Sequence, residues 1–89
     1  MPELASVNGV ITPIPEARIP ITDRGFLFGD AAYEVIRVYG GRPFTLREHL
    51  ERLLATCEGM RLAAPPTCGA LAGECQRLVE ASGLGEAAL

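Results

Sequence analysis

The residues best suited to chemistry in this chain are an arginine on a predicted helix and three side chains on a predicted strand. Arg52 lies well away from the apolar stripe of its helix, which centres near Cys57. It shares a row with small and polar residues: Thr45, His49, Thr56 and Gly59. A planar guanidinium in such a row could bind phosphate or another anion. An exposed pair with Glu48, worth about 0.3–0.5 kcal/mol, also fits the row and is the commoner arrangement.

The strand candidates come from a run of β-branched and aromatic residues between Tyr33 and Tyr39. Side chains alternate along a strand, so Tyr33, Val35 and Arg37 share one face. A phenol and a guanidinium on one face could bind a carboxylate. A solvated outer face of the sheet would carry the same pattern, although two exposed tyrosines would be costly there. The residues alone leave both interpretations open.

Composition excludes several other kinds of chemistry. The 89 residues include eight Arg, no Lys and eleven Asp and Glu, for a net charge of -3. The chain therefore has no ε-amine to form a Schiff base and no basic stripe for nucleic acid. No apolar run is long enough to span a membrane, and no secretory signal is apparent. Three cysteines without paired short spacing indicate reduced thiols in a cytoplasmic protein, with no metal site.

The elements that must position these residues follow an order of strands and then helices. Asn8-Gly9 and Gly40-Gly41 predict two tight turns. Ile19 and Ile21 predict a short edge strand, and residues 23–30 an ordered loop. Tyr33 to Tyr39 is the clearest strand, and residues 42–44 begin its return.

Two helices follow in the second half. Thr45 and Glu48 predict a capping box at the first helix. Pro65-Pro66 blocks any continuation of that helix. The predicted apolar stripe comprises Leu46, Leu50, Leu53, Leu54, Cys57 and Met60. The second helix is predicted from Thr67 to Ala81, with Gly83 as its C-cap. The inward residues predicted for it are Leu71, Cys75, Leu78 and Val79. His49, on the first helix, is expected to pack or cap rather than act as a base. Residues 87–89, after the second helix, resemble the start of another strand. The pattern predicts an α+β fold, with two helices packed on one face of a small antiparallel sheet.

The order and spacing of these motifs resemble the class IV aminotransferases, the fold-type IV pyridoxal-phosphate enzymes. The matching runs are Val7-Asn8-Gly9, Asp23 to Asp30, Tyr33-Glu34-Val35-Ile36-Arg37-Val38-Tyr39, Gly40-Gly41-Arg42-Pro43-Phe44 and His49-Leu50-Glu51-Arg52-Leu53. Ala31-Ala32 departs from the Gly-Val that is common in the family. The resemblance implies that residues 1–89 form the small N-terminal domain of such an enzyme. The family's catalytic lysine would belong to a C-terminal domain, so the 89 residues alone are expected to be inactive.

The resemblance also implies roles for individual residues. Arg52 matches the family arginine that binds the phosphate of pyridoxal 5'-phosphate. Tyr33, Val35 and Arg37 match positions that line the substrate site. The implied reaction moves an amino group from an amino acid to a 2-oxo acid, in a homodimer with active sites near the subunit interface.

Within the family, Tyr33 followed by Glu34-Val35 favours the D-amino-acid aminotransferase-like branch. Branched-chain amino-acid aminotransferases and aminodeoxychorismate lyases share the same scaffold and remain alternatives. A non-catalytic α+β interaction module is a further alternative, which the short chain favours.

Overall fold

The N-terminal hairpin forms as the sequence predicts. The structure, a computed structural model, describes residues 3–63 and 65–89. Strand β1 (Leu4–Val7) pairs antiparallel with β2 (Val10–Pro13). The turn residues Asn8 and Gly9 have φ values of 51° and 84°. Both are in the left-handed range that a type I′ turn requires and that Asn and Gly tolerate best.

The segment after the hairpin does not form the predicted edge strand. A short 3-10 turn (Ile14–Glu16) leads into residues without regular structure, so the expected edge strand at Ile19 and Ile21 is wrong. Pro20 between them has no N–H to donate, and no described strand lies alongside. Both isoleucines are exposed.

Residues 23–30 contain a short helix rather than the predicted loop. Helix α1 (Arg24–Phe28) begins at Asp23, whose carboxylate accepts a hydrogen bond of 2.9 Å from the N–H of Gly25. It ends at Gly29, which has φ 71°. An Asp N-cap and a left-handed Gly C-cap are the usual limits of a helix, and five residues between them were too few to show a period.

A three-stranded antiparallel sheet lies at the centre of the fold. Its order is β4 (Arg42–Pro43), β3 (Arg37–Tyr39) and β5 (Ala87–Ala88), so β3 is the central strand. Gly40 and Gly41, with φ 57° and 76°, turn β3 into β4. The predicted strand from Tyr33 is longer than the observed ladder, because residues 33–35 have no neighbouring strand among the described residues. The predicted strand near residue 87 is confirmed as β5.

Helix α2 (Leu46–Gly59) follows β4, but the predicted capping box is wrong. Thr45 has φ 50° and no side-chain bond to the helix N–H groups. Its hydroxyl instead donates to the carbonyl of Phe44 at 2.8 Å. The left-handed backbone turns the Thr45 side chain away from the helix, so the reciprocal bond with Glu48 cannot form.

Helix α3 (Cys68–Ser82) is bounded as predicted, to within one residue. Its N-cap Thr67 accepts a hydrogen bond of 3.1 Å from the N–H of Ala70. Its C-cap Gly83 has φ 68°. The cap residue of α3, unlike that of α2, has the extended backbone on which a side-chain cap depends.

The core lies where the sheet meets the helices. Its buried members are Ile36, Val38, Leu50 and Val79. Helix α3 contacts α2, β1 and β4, so the α+β class predicted from the sequence is confirmed. The strands form two small sheets rather than one. Met60, the last residue of the predicted α2 stripe, is exposed.

Candidate functional site

A carboxylate between two α2 side chains forms the most organised polar cluster of the described residues. Glu34 lies just before β3, and His49 and Arg52 lie one helical turn apart on α2. Arg52 Nε donates to Glu34 Oε2 at 2.8 Å, and Arg52 Nη2 donates to Oε1 at 2.6 Å. His49 Nδ1 lies 2.7 Å from the same Oε1. We call Glu34, His49 and Arg52 the Glu34 cluster.

The electrostatics of the Glu34 cluster keep its carboxylate ionised. Hydrogen bonds from Arg52, and secondarily from His49, lower the pKa of Glu34 from 4.5 to about 2. The same bonds with Glu34 raise the pKa of Arg52. Stabilised charges of this kind are common in functional sites, although structural ion pairs also produce them.

The ionised carboxylate decides which nitrogen of His49 carries a proton. A carboxylate without a proton can only accept hydrogen bonds, so Nδ1 of His49 must donate to it. The Arg52 Nη2 atom also lies 3.5 Å from this Nδ1. Both atoms are then donors, so that contact is a close approach and not a hydrogen bond. In a neutral ring, Nε2 of His49 is the acceptor.

The Arg52 guanidinium keeps part of its hydrogen-bonding capacity. It has five N–H donors in a fixed plane, and the two bonds to Glu34 use the edge formed by Nε and Nη2. The edge formed by Nη1 and Nη2 has no acceptor within residues 3–63 and 65–89. The Arg52 side chain is 67% exposed, whereas that of Glu34 is 11% exposed. A second anion can therefore reach Arg52 from solvent.

These contacts correct two interpretations of the sequence. The partner of Arg52 is Glu34 and not Glu48. His49, expected to pack or cap, instead contacts the Glu34 carboxylate. A signal was present in the strand alternation, which places Glu34 on the inward face with Ile36 and Val38. An acid on an inward face needs a cationic or hydrogen-bonding partner.

The predicted alternation of the strand is confirmed across residues 33–39. Tyr33 is 85% exposed, and Val35 and Arg37 are exposed beside it. The Arg37 guanidinium lies 5.9 Å from the centre of the Tyr39 ring. No polar contact joins Arg52 to Tyr33, Val35 or Arg37 in the described part of the chain. Arg52 and the three strand-face candidates thus do not belong to one network of polar contacts among the described residues.

Other kinds of site are not found in the described residues. Within 3–63 and 65–89, no three His, Cys, Asp or Glu side chains are grouped to hold a metal ion. No helix there is long and apolar enough to cross a membrane. The three cysteines are unpaired and half-buried, and burial raises the pKa of Cys75.

Comparison with known proteins assigns the chain to a family. The model of the amino-transferase class IV family matches residues 31–89. This segment contains the Glu34 cluster, β3 and both long helices. The chain therefore belongs to the class IV aminotransferase family, as its motifs predicted.

Similar curated proteins come from three bacteria and carry the name D-alanine aminotransferase. The protein of Listeria monocytogenes is 42% identical over 59 residues, which are 66% of this chain and 20% of that protein. The Staphylococcus epidermidis and Staphylococcus aureus proteins are 43% and 45% identical over 56 residues, which are 63% of this chain and 20% of each protein. The matched segment thus covers one fifth of the relatives' length.

Proposed function

We propose that this chain is the N-terminal domain, residues 1–89, of a pyridoxal 5'-phosphate-dependent aminotransferase. The reaction would move an amino group from an amino acid, with D-alanine or a similar D-amino acid favoured, to a 2-oxo acid. The names of the three relatives support this choice of substrate. The family match supports amino transfer as the type of reaction.

One observation of the structure carries the proposal. Arg52 is exposed, oriented by Glu34, and retains the Nη1–Nη2 edge for a further acceptor. A phosphate group fits such an edge because two of its oxygens can accept parallel N–H bonds. The residues of this chain therefore fit the phosphate end of the cofactor, with Arg52 as its ligand.

The remainder of the cofactor site would come from outside residues 1–89. When bound, the cofactor supplies an electron sink for the carbon that carries the amino group. The amine that holds it covalently cannot be a lysine of this chain, because the chain has none. We expect the 89 residues alone to be inactive and the complete enzyme to be a homodimer.

The exposed face of the strand would receive the substrate. The Arg37 guanidinium could pair with a carboxylate, and the Tyr33 hydroxyl could donate a hydrogen bond to it. Val35 would supply an apolar contact between them. These roles follow from exposure and residue type at positions that alternate along one strand.

The proposal is tested with the complete enzyme, D-alanine and 2-oxoglutarate. We expect pyruvate and glutamate as products. Amino transfer from branched-chain amino acids without pyruvate from D-alanine would place the enzyme in the branched-chain group. Elimination without transfer would place it with the lyases, and no reaction with an intact cofactor site would favour a non-catalytic module.

Arg52→Ala tests the phosphate role separately from the reaction. We expect the variant to lose cofactor on gel filtration, because removal of a charged hydrogen-bonding partner costs about 1.5–3 kcal/mol, or roughly tenfold or more in affinity. Arg47→Ala, which changes an exposed arginine on the same helix, should retain cofactor as the wild type does. Unchanged retention in Arg52→Ala would contradict the assignment.

A further inference from the structure

The Glu34 carboxylate contacts both Arg52 and His49 at once. Its Oε2 accepts from Arg52 Nε, and its Oε1 accepts from Arg52 Nη2 and from His49 Nδ1. All three distances are between 2.6 and 2.8 Å. One nearly buried side chain in the segment before β3 therefore sets the orientation of two side chains on α2.

The side-on contact determines which edge of the guanidinium remains available. A carboxylate placed across Nε and Nη2 leaves the neighbouring Nη1–Nη2 edge as the second bidentate position of the plane. The Arg52 side chain is 67% exposed, whereas that of Glu34 is 11% exposed. Among the described residues, the second edge has no acceptor, so it can donate to an anion from solvent.

We propose that Glu34 is a positioning residue for anion binding: it holds Arg52 side-on so that the Nη1–Nη2 edge meets the phosphate, and it fixes His49 with the proton on Nδ1. The inference rests on the phosphate role of Arg52 proposed above and adds the residue on which that role depends. Glu34 is not expected to touch the phosphate itself.

The physical benefit is pre-organisation. A free arginine side chain on a helix surface samples many rotamers, and a ligand must restrict them when it binds. In this site the bidentate contact restricts the guanidinium before the ligand arrives. The carboxylate also offsets part of the Arg52 charge, so pre-organisation and electrostatics have opposite effects on anion binding.

This opposition gives the inference a decisive test. If Glu34 acted only through its charge, replacing it by neutral glutamine would strengthen phosphate binding, because an anion would be removed from beside the site. If Glu34 acts by positioning, the same replacement weakens binding, because an amide cannot accept from Nε, Nη2 and Nδ1 together. Glu34→Gln preserves the size of the side chain, and the backbone amide spectrum reports whether the fold is retained.

The first readout is nitrogen NMR of the 89-residue chain without any ligand. His49 is the one histidine of the sequence, so its ring signals are unambiguous. In the wild type we expect the proton on Nδ1 and a slowly exchanging Arg52 Nε–H. In Glu34→Gln we expect a mixture of His49 tautomers and faster exchange at Arg52. Identical His49 and Arg52 signals in the two proteins would refute the positioning role.

The second readout is a titration with inorganic phosphate at constant ionic strength, followed at the Arg52 Nε–H signal. We expect the affinity to fall at least threefold in Glu34→Gln. Asp30→Asn removes an exposed carboxylate from a different arginine pair and should bind phosphate like the wild type. Equal or tighter binding by Glu34→Gln would overturn the inference.

The two readouts separate this inference from the function on which it rests. A wild-type chain with the expected His49 tautomer but no phosphate response at Arg52 would refute the phosphate role, and the positioning role would fall with it. A phosphate response at Arg52 that survives Glu34→Gln would refute the positioning role alone and leave the proposed function standing.

Discussion

Residues 14–30 and residues 34–82 differ in how their local structure is used. The first region has a capped helix, an ion pair and a cation–π contact, yet its large apolar side chains are exposed. They are Ile14, Ile19, Ile21, Phe26, Leu27 and Phe28. The second region contributes Ile36, Val38, Leu50 and Val79 to the core. Good capping and pairing shape a segment, but burial of apolar surface supplies most of the stabilisation.

The two arginine–carboxylate pairs show the same contrast on a smaller scale. Arg24 reaches Asp30 through Nε alone, at 2.9 Å, with side chains 74% and 38% exposed. Arg52 meets Glu34 through two nitrogens, and Glu34 is nearly buried. The first pair joins the start of α1 to a residue just after it, whereas the second joins the segment before β3 to helix α2. Only the second constrains elements that are distant in sequence.

The largest effect expected from this comparison is in the core. Leu50→Ala should lower the free energy of unfolding by about 2–5 kcal/mol, because it removes buried methyl groups and leaves a cavity. Ile21→Ala in the exposed region should change it by about 0.5 kcal/mol or less. Urea denaturation of both variants measures the difference. Similar losses at the two positions would show that residues 14–30 are buried in solution.

The next largest effect should be on the acid dependence of the melting temperature, which distinguishes the Glu34 pair from the Arg24–Asp30 pair. The pKa of Glu34 is lowered, so its stabilising contribution is complete above 4.5 and is lost as the pH falls towards 2. The wild-type melting temperature should therefore fall across this range, measured by circular dichroism. Glu34→Gln should lack this part of the fall, whereas Asp30→Asn should keep it because Glu34 is intact. If the melting temperature of Glu34→Gln fell with acid as much as that of the wild type, the Glu34 cluster would not be the source of the acid dependence.

Helix caps should show a smaller difference of the same kind. Thr67→Ala removes a side-chain bond at the start of a packed 15-residue helix and should cost about 1 kcal/mol. Asp23→Ala removes the equivalent bond from an exposed five-residue helix. Its effect on global unfolding should be less than half as large, since α1 buries no residue. If chemical denaturation gave equal losses of unfolding free energy for Thr67→Ala and Asp23→Ala, α1 would have to unfold together with the core.

The smallest effect on stability should come from the exposed Arg24–Asp30 pair. Arg24→Ala removes the bond to Asp30 and the contact over the Phe28 ring, 4.9 Å away. Exposed pairs contribute about 0.2–1 kcal/mol, and we expect the lower end of that range. A double-mutant cycle with Asp30→Asn measures the coupling. A coupling above about 1 kcal/mol would show that the α1 segment is more ordered than its exposure indicates.

The features that were predictable from the sequence are those fixed by neighbouring residues. Asn8-Gly9 and Gly40-Gly41 tolerate positive φ values, so both turns could be predicted. Thr67 and Gly83 marked the ends of α3 for similar reasons. The backbone of Thr45 was not predictable in this way, because residue type does not reveal a left-handed conformation that a β-branched residue rarely adopts.

The site was only partly predictable because its defining contact is not local. The anion-binding potential of Arg52 and the shared face of Tyr33, Val35 and Arg37 followed from helical and strand periodicity. The pairing of Glu34 with His49 and Arg52 depends on how α2 packs against the strand segment. Periodicity within one element carries no information about that packing. The strand itself was predicted too long because its ladder depends on where partner strands lie.

The sheet order has a consequence for how the protein is made. The central strand β3 pairs on one edge with β4, which follows it immediately, and on the other with β5, which follows both long helices. On the ribosome, the edge of β3 that awaits β5 must stay unpaired until residues 87–89 emerge. An open strand edge can pair with other chains. Slow synthesis or stalling between α3 and β5 should therefore increase aggregation of the nascent protein.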